Sequence, residues 1–296
     1  VKYAAAIVFY NPDEDAIKRI SRYSNNFDEI LVIDNSEKEK INIANELMHY
    51  ENCLYHKMNG NEGMAKALNY AFYRAIEREY EIILTMDQDS LYTDENIKTM
   101  KDFINGNFDE NVGIYSPNYS KLYFDEKLNA FIVGKPVIKK SDIKRVDFCM
   151  TSGSFVNVKA LKKVLPIDDY FIGYVDNYLC ARLTEMDFKL LRVGSSCFNQ
   201  QVGGKVKNTI FNRIFNILHH AEIRYYYMFR NNLFLQERFK KNFLLKTRSK
   251  IDLIRIMVNI IIGEENKWKK IKACETGYKD FKRKIMGKVP DESITW

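Results

Sequence analysis

Short, continuously apolar runs alternate with polar-faced stretches through the first half of the chain. Tyr3–Phe9 is the first such run and reads as a buried strand, closed by the turn signal Asn11-Pro12. The pattern then predicts a helix over 13–24 with Asp13 as its cap, and a strand over 29–33 ending on Asp34-Asn35-Ser36. A helix over about 38–50 and a weak strand near 53–57 follow. Next come a helix over 63–79, a strand over 80–86 ending on Asp87-Gln88-Asp89-Ser90, a helix near 93–105 and a strand near 111–115. Strands and helices that alternate with short connections predict an α/β protein whose mostly parallel central sheet is flanked by helices. Ligands of such sheets sit outside the carboxyl ends of the strands. The polar clusters at Asn11, Asp34-Asn35 and Asp87–Asp89 therefore fall on one rim.

The second half is less regular. Within 117–148 only the alternating stretch Phe131–Ile138 suits a hairpin strand. Thr151-Ser152-Gly153-Ser154 interrupts an apolar run with small residues, where a backbone or a ligand can come close. Residues 177–186 read as a helix, 189–193 as a short strand, and 209–285 as helical and rich in Lys, Arg, Tyr, Phe and Ile.

Composition adds little until it is divided. Hydrophobic residues at 46% and charged residues at 29% of 296 exclude disorder, collagen and a disulfide scaffold. Cys53, Cys149, Cys180, Cys197 and Cys274 are scattered and never at metal-ligand spacing, the pattern of reduced thiols in a cytoplasmic protein. The opening apolar run is too short for a signal peptide or an anchor. The first 200 residues hold 25 Lys and Arg against 30 Asp and Glu, whereas the rest hold 21 against 9. An acidic body over 1–204 and a basic, aromatic-rich helical region over 205–296 are expected to do different work.

The strongest chemical signal is Asp87-Gln88-Asp89 directly after a buried strand. Two carboxylates so placed can share a divalent cation, Mg²⁺ or Mn²⁺, whose shell substrate phosphates complete. The plainer reading is that Asp89 or Ser90 caps the following helix. Asp34 can accept hydrogen bonds from a base or ribose, or merely close an Asx turn. Asn59–Gly63, glycine-rich, opens the helix that carries Lys66 and Asn69, and a helix N-terminus favours an anion. Asp176 stands among apolar and aromatic residues, which raise a carboxylate's pKa and suit it to general-base work. Its plain alternative is a partner for Arg182. In the tail, Arg224-Tyr225-Tyr226-Tyr227-Met228-Phe229-Arg230-Asn231-Asn232 offers arginines that can clamp phosphates, or a packed helix with a basic face in water. The interrupted apolar stretch 251–262 is too short to span a bilayer but, with basic neighbours, suits an anionic membrane surface.

Taken in order, these segments resemble family 2 glycosyltransferases with a GT-A fold, and among them the rhamnosyltransferase-like enzymes of bacterial surface-polysaccharide assembly. The residues that carry the resemblance are Tyr10-Asn11-Pro12, Val32–Ser36, Asn61–Asn69, Leu84–Ser90, Thr151–Ser154, Phe171–Asp176, and Arg224-Tyr225-Tyr226 with Arg230-Asn231. The resemblance covers roughly 3–235. It implies that Tyr10, Asn11, Pro12, Asp34, Asn35, Asn61, Gly63 and Lys66 hold the donor nucleotide. It implies that Asp89 chelates the metal on the diphosphate, with Asp87 touching the ribose or assisting. Asp176 takes the place of the catalytic base with Arg182 behind it, while Thr151, Ser152, Gly153 and Arg230 line the donor sugar or the acceptor. The implied reaction is an inverting transfer from a nucleotide-diphosphate sugar, dTDP-rhamnose or a UDP-hexose, to a glycan acceptor. That acceptor is expected to be lipid-linked, with peripheral membrane contact through 205–296 at the inner face of the cell membrane.

Three departures stand out. Gly173 and Tyr178 occupy places where the family often has further carboxylates, and Gln200, three residues before Gly203, replaces a metal-binding His. They keep a degenerate, non-catalytic binding protein as the alternative. Nucleotidyl transfer would need an early glycine-rich phosphate loop, and Asn11-Pro12-Asp13 is not one. Nucleic acid is not an expected partner, because the acidic rim would repel its phosphates.

Overall fold

Tyr3–Phe9 forms β1 and is covered on both faces, which explains its unbroken apolar run. Tyr3, Ala5, Ile7 and Phe9 face one side, whereas Ala4, Ala6 and Val8 face the other. The computed structural model describes residues 1–21, 24–38, 40–90, 92–125, 130–200, 219–294 and 296.

The further strands are β2 (Glu29–Asp34), β3 (Cys53–Lys57), β4 (Ile82–Asp87), β5 (Val112–Asp125), β6 (Ala130–Val133), β7 (Ile143–Val146), β8 (Ser154–Asn157) and β9 (Lys189–Gln200). They form one sheet in the order β3-β2-β1-β4-β8-β5-β9-β7, with β6 added to β5. β3, β2, β1 and β4 run parallel, as do β5 and β9; β8 and β7 run against their neighbours. The sheet is thus mostly parallel and flanked by helices.

On one face lie α1 (Glu14–Ser21), α2 (Ile41–Leu47) and α4 (Asp94–Gly106). The other face carries α3 (Met64–Glu77), α5 (Val158–Val164) and α6 (Val175–Glu185). There, Ala65, Ala67, Ala71 and Ala75 of α3 share a core with Ala4 and Ala6. Small residues on both sides let the helix come close to the sheet.

The long helical stretch resolves into α7 (Glu222–Arg238), α8 (Phe243–Gly263) and α9 (Lys267–Lys282). Phe234, Leu235 and Phe239 enter the same core as Tyr170 and Tyr178, so α7 is fastened to the sheet and its helices. The expected boundary at 204/205 and the expected helical start at 209 lie outside the described residues, as does Gly203. Two strands are longer than the pattern predicts. β5 runs on past 115, and β9 past 193, through small and polar residues that include Ser116, Asn118, Ser120 and Ser196, all buried. The hairpin strand is shorter than expected, ending at Val133.

Candidate active site

Strand register sets the site. Phe9 of β1 pairs with Asp34 of β2, and Val8 pairs with Asp87 of β4, so the two acids emerge one residue apart in register on the carboxyl rim. Across β1 and β4 the rim is stitched by Gln88. Its amide oxygen accepts from Tyr10 N (2.8 Å), and its Nε2 donates to the Tyr10 carbonyl (3.0 Å). Gln88 is thereby committed to structure, leaving the acids on either side of it for chemistry. Neither Asp89 nor Ser90 caps α4; Thr93 does, its hydroxyl accepting from Asn96 N.

The small-residue segment lies directly beside these acids. Ser152 Oγ accepts from Asp87 N (3.2 Å) and shares a hydrogen bond with Ser90 Oγ (2.8 Å). Gly153 N donates to the Thr85 carbonyl (2.7 Å) with φ at 80°, a turn that favours glycine. Thr151 donates to Asp176 Oδ1 twice, from its hydroxyl (2.6 Å) and its N–H (3.3 Å). The segment therefore joins the acids of β4 to Asp176 in the first turn of α6. Arg182 is not the partner of Asp176: its guanidinium pairs with Glu185 (2.6 Å).

The charges of Asp176 and Asp89 reach Asp87. Burial pushes the Asp87 carboxyl up to about 7, helped by the negative charges of Asp176 and Asp89 and opposed by the Ser152 hydroxyl and Arg224. Burial also raises Asp176, against the two Thr151 hydrogen bonds and Arg224. Arg224, half-buried at the start of α7, has its own pKa lowered by burial and raised by Asp176 and Asp87. It is the arginine of the tail that faces the site.

Arg230, expected on the donor-sugar side, is instead wholly buried. It donates to Tyr226 OH (3.0 Å), the Gly287 carbonyl (2.7 Å) and Asn231 Oδ1 (3.1 Å), and lies against the rings of Tyr226 and Tyr227. The sequence held the signal for this distinction. Six residues at about 100° each put Arg224 and Arg230 on different faces of a helix, so they cannot share one site.

The rest of the rim is a connected network. Asp34 is buried, with Oδ1 accepting from Ser36 N (2.9 Å), an Asx turn, and Oδ2 from Tyr55 OH (2.6 Å). Asn35 donates to Asn61 Oδ1 (3.2 Å) and accepts from Glu62 N (2.8 Å); Asn11 N donates to Ser36 Oγ (2.7 Å). Pro12 is buried and Tyr10 is exposed. The start of α3, expected to favour an anion, has other partners: Met64 N donates to the Phe171 carbonyl (2.7 Å) and Ala65 N to that of Tyr170 (3.3 Å). Lys66, nearby on α3, lies 3.9 Å from Glu62.

The turn 171–176 is shaped by two left-handed residues, Gly173 (φ 76°) and Tyr174 (φ 66°). Asn231 Nδ2 holds it by donating to the Ile172 (3.0 Å) and Gly173 (3.2 Å) carbonyls. Glycine at 173 thus serves backbone geometry. Tyr178 points into the core between Tyr170 and Phe239, so the missing acid there removes nothing from the site.

Among the described residues no group of three or more His, Cys, Asp and Glu stands together as a metal cage. Asp87 and Asp89 nonetheless fit a hard divalent cation. They are oxygen donors, and burial with the nearby negative charges of Asp176 and Asp89 already raises Asp87, a cost that a cation would relieve. Gln200, which stands in place of the family's metal-binding His, ends β9, and its side chain lies outside the described residues.

An open α/β sheet with acids on its carboxyl rim, closed by antiparallel strands and helices, defines the GT-A class of nucleotide-sugar transferases. Residues 6–165 match the family model "Glycosyl transferase family 2", and the chain belongs to that family; it is a glycosyltransferase. The dTDP-rhamnosyl transferase RfbF of Shigella flexneri is 25% identical over 279 residues, covering 89% of each chain. The fold is shared with S. aureus TarS (TM-score 0.57, 14% identity, 99% of this chain and 50% of that one). It is also shared with GalNAc-T7 in complex with UDP, GalNAc and Mn²⁺ (TM-score 0.53, 12% identity, 78% and 51%). The chain spans about half the length of those two structures.

Proposed function

We propose that the protein is an inverting transferase that moves rhamnose from dTDP-rhamnose, or a hexose from a UDP-sugar, to a glycan acceptor. The single observation that carries the reading is Asp176, held by Thr151 beside the Asp87–Asp89 rim. The likeness to a dTDP-rhamnosyl transferase favours the first donor. The acceptor is a lipid-linked saccharide of capsule, O-antigen or cell-wall assembly, met at the cytoplasmic face of the membrane.

In this reading Tyr10, Asn11, Pro12, Asp34, Asn35, Asn61, Gly63 and Lys66 bind and orient the nucleotide. Asp87 and Asp89 would hold a divalent cation, Mg²⁺ or Mn²⁺, which when bound neutralises charge growing on the leaving diphosphate. Arg224 adds a fixed positive charge to the same region. Thr151, Ser152 and Gly153 line the sugar. An acceptor hydroxyl attacks the anomeric carbon as Asp176 takes its proton, and the sugar–phosphate bond breaks on the opposite face. One displacement inverts the configuration. Thr151 keeps Asp176 ionised and pointed while burial makes it a stronger base.

A thermal-shift screen with dTDP, UDP, GDP and CDP, each with and without Mn²⁺, tests the donor. A nucleotide at a hundred times its dissociation constant adds about 2.7 kcal/mol to stability. The expected result is stabilisation by dTDP or UDP, larger with Mn²⁺, and lost in Asp89→Ala. Asp176→Asn should retain that shift and lose transfer about a thousandfold. Stabilisation by no nucleotide would favour a degenerate, non-catalytic protein.

A further inference from the structure

Helix α8 is apolar on the wrong side for a soluble helix. Its inner face packs Leu253, Ile256, Met257 and Ile260 around Tyr225 of α7. Its outer face carries Phe243 (77% exposed), Leu244 (65%), Ile251 (50%), Ile254 (64%), Ile261 (57%) and Ile262 (45%). At about 100° per residue these six fall in one stripe about 100° wide, along the full length of the helix. Scattered exposed apolar residues are ordinary; a continuous stripe opposite an already buried face marks a surface that meets something.

The edges of the stripe say what it meets. Arg248 and Arg255, each half in solvent and paired with Asp147 (3.0 Å) and Asp252 (3.4 Å), border one side, and Lys250 the other. The helix as a whole holds Lys246, Arg248, Lys250 and Arg255 against a single acid, Asp252. Lys240 and Lys241 precede it, and Lys267 and Lys269 follow. At its far end Lys267 Nζ donates to the Ile261 carbonyl (2.7 Å), and the next residue, Trp268, is 83% exposed. Aliphatic side chains ringed by Lys and Arg, with an exposed Trp, match the boundary between headgroups and acyl chains of an anionic bilayer. A second copy would bring the same positive ring against itself. The described helices include none long and apolar enough to cross a membrane, so the surface would lie on it.

We propose that the outer face of α8, with Trp268, docks this protein on an anionic lipid surface. The proposal deepens, and rests on, the reading of a lipid-linked acceptor, because the docked helix is tied to the site. Glu264, just past α8, accepts from Tyr225 OH (2.6 Å), next to Arg224. Asn232 donates to both the Ser249 carbonyl (3.0 Å) and Tyr174 OH (2.8 Å), the latter two residues from Asp176.

The test is co-sedimentation of the full chain with vesicles of phosphatidylcholine alone, or of phosphatidylcholine and phosphatidylglycerol in equal parts. Binding to the anionic vesicles alone, weakened by salt, is expected, with a blue shift of Trp268 emission that Trp268→Phe removes. The double variant Ile251→Glu, Ile254→Glu should lose binding by at least about tenfold while melting like the wild type, since both side chains face solvent. Leu244→Gln with Ile262→Gln provides a second, milder pair. Absence of vesicle binding would overturn the proposal. So would lipid-free dimers that Ile251→Glu, Ile254→Glu converts to monomers. Nucleotide-induced thermal shifts read the donor site separately, so failure of docking and failure of the transferase reading are told apart.

Discussion

Asp176 takes two hydrogen bonds from one residue, Thr151, on one carboxylate oxygen, through hydroxyl (2.6 Å) and backbone N–H (3.3 Å). Hydrogen bonds to the charged form lower a carboxylate's pKa, and here they oppose the rise caused by burial. Thr151→Val removes the hydroxyl at nearly constant shape. The Asp176 pKa then moves further up, so the acid limb of the kcat/KM profile moves to higher pH. If Asp176 is the proposed base, the rate on the plateau should fall about tenfold as it loses its orientation. A profile whose acid limb stays in place in the variant would remove Asp176 from the role of base.

The raised pKa of Asp87 has a consequence for stability. The unfolded chain releases this proton near pH 4, whereas the folded protein holds it to about 7. Between those values the folded state binds more protons, so stability falls as pH rises through the window and levels off above it. Asp176, raised in the same direction, adds to the slope. In the presence of a chelator, Asp87→Asn should flatten this decline. It should raise unfolding free energy at about pH 8 by roughly 1–3 kcal/mol after solvent screening, and leave it unchanged at about pH 4. Denaturant titrations at the two pH values check this. Equal slopes in the two proteins would show that Asp87 is not the source.

Arg224 and Arg230 should separate cleanly on substitution. Arg230→Ala leaves the Gly287 carbonyl without its partner, takes one of two from the Tyr226 hydroxyl and opens a cavity, at a cost of about 3 kcal/mol or more. Arg224→Ala should melt close to the wild type, yet lose transfer at least about tenfold because the positive charge facing Asp87 and Asp176 is gone. Melting curves beside steady-state kinetics decide it. A folded, active Arg224→Ala would place Arg224 outside the machinery.

These residues also show which parts of the protein were legible in its sequence. β1, fully apolar and closed by Asn11-Pro12, is found residue for residue, because a run of seven residues ended by a turn signal is too short for a buried helix. β9 is not, because the ladder between β5 and β9 shifts register between Pro117 and Asn118. The polar run Gly194-Ser195-Ser196 passes through that irregularity and reads as loop. α5 escapes notice because its seven residues follow β8 directly, with Asn157 both ending the strand and capping the helix. Asp87, Asp89 and Asp176 announce themselves by position after a strand or within an apolar run. Arg224 does not, since its meaning depends on which helix face turns toward the acids, and that is a tertiary fact.

Gly63 couples the two halves of the site, and glycine is the one residue that fits there. Its φ is 92°, and a Cβ would stand 2.8 Å from both the Cα and the carbonyl oxygen of Phe171. Those are backbone atoms, so no rotamer change relieves the clash. The same carbonyl receives Met64 N at 2.7 Å, and five residues further on stands Asp176. Gly63→Ala should therefore displace the turn that carries Asp176, lower stability by about 2–4 kcal/mol and depress transfer. Gly173 is the control: its φ is 76°, but nothing lies within 4 Å of the added methyl group. Gly173→Ala should cost about 1 kcal/mol, from backbone strain alone. Melting temperatures and kcat of the two variants decide between a close-packed hinge at Gly63 and a generic preference for glycine. Equal losses in both would mean that contact with Phe171 does not position Asp176.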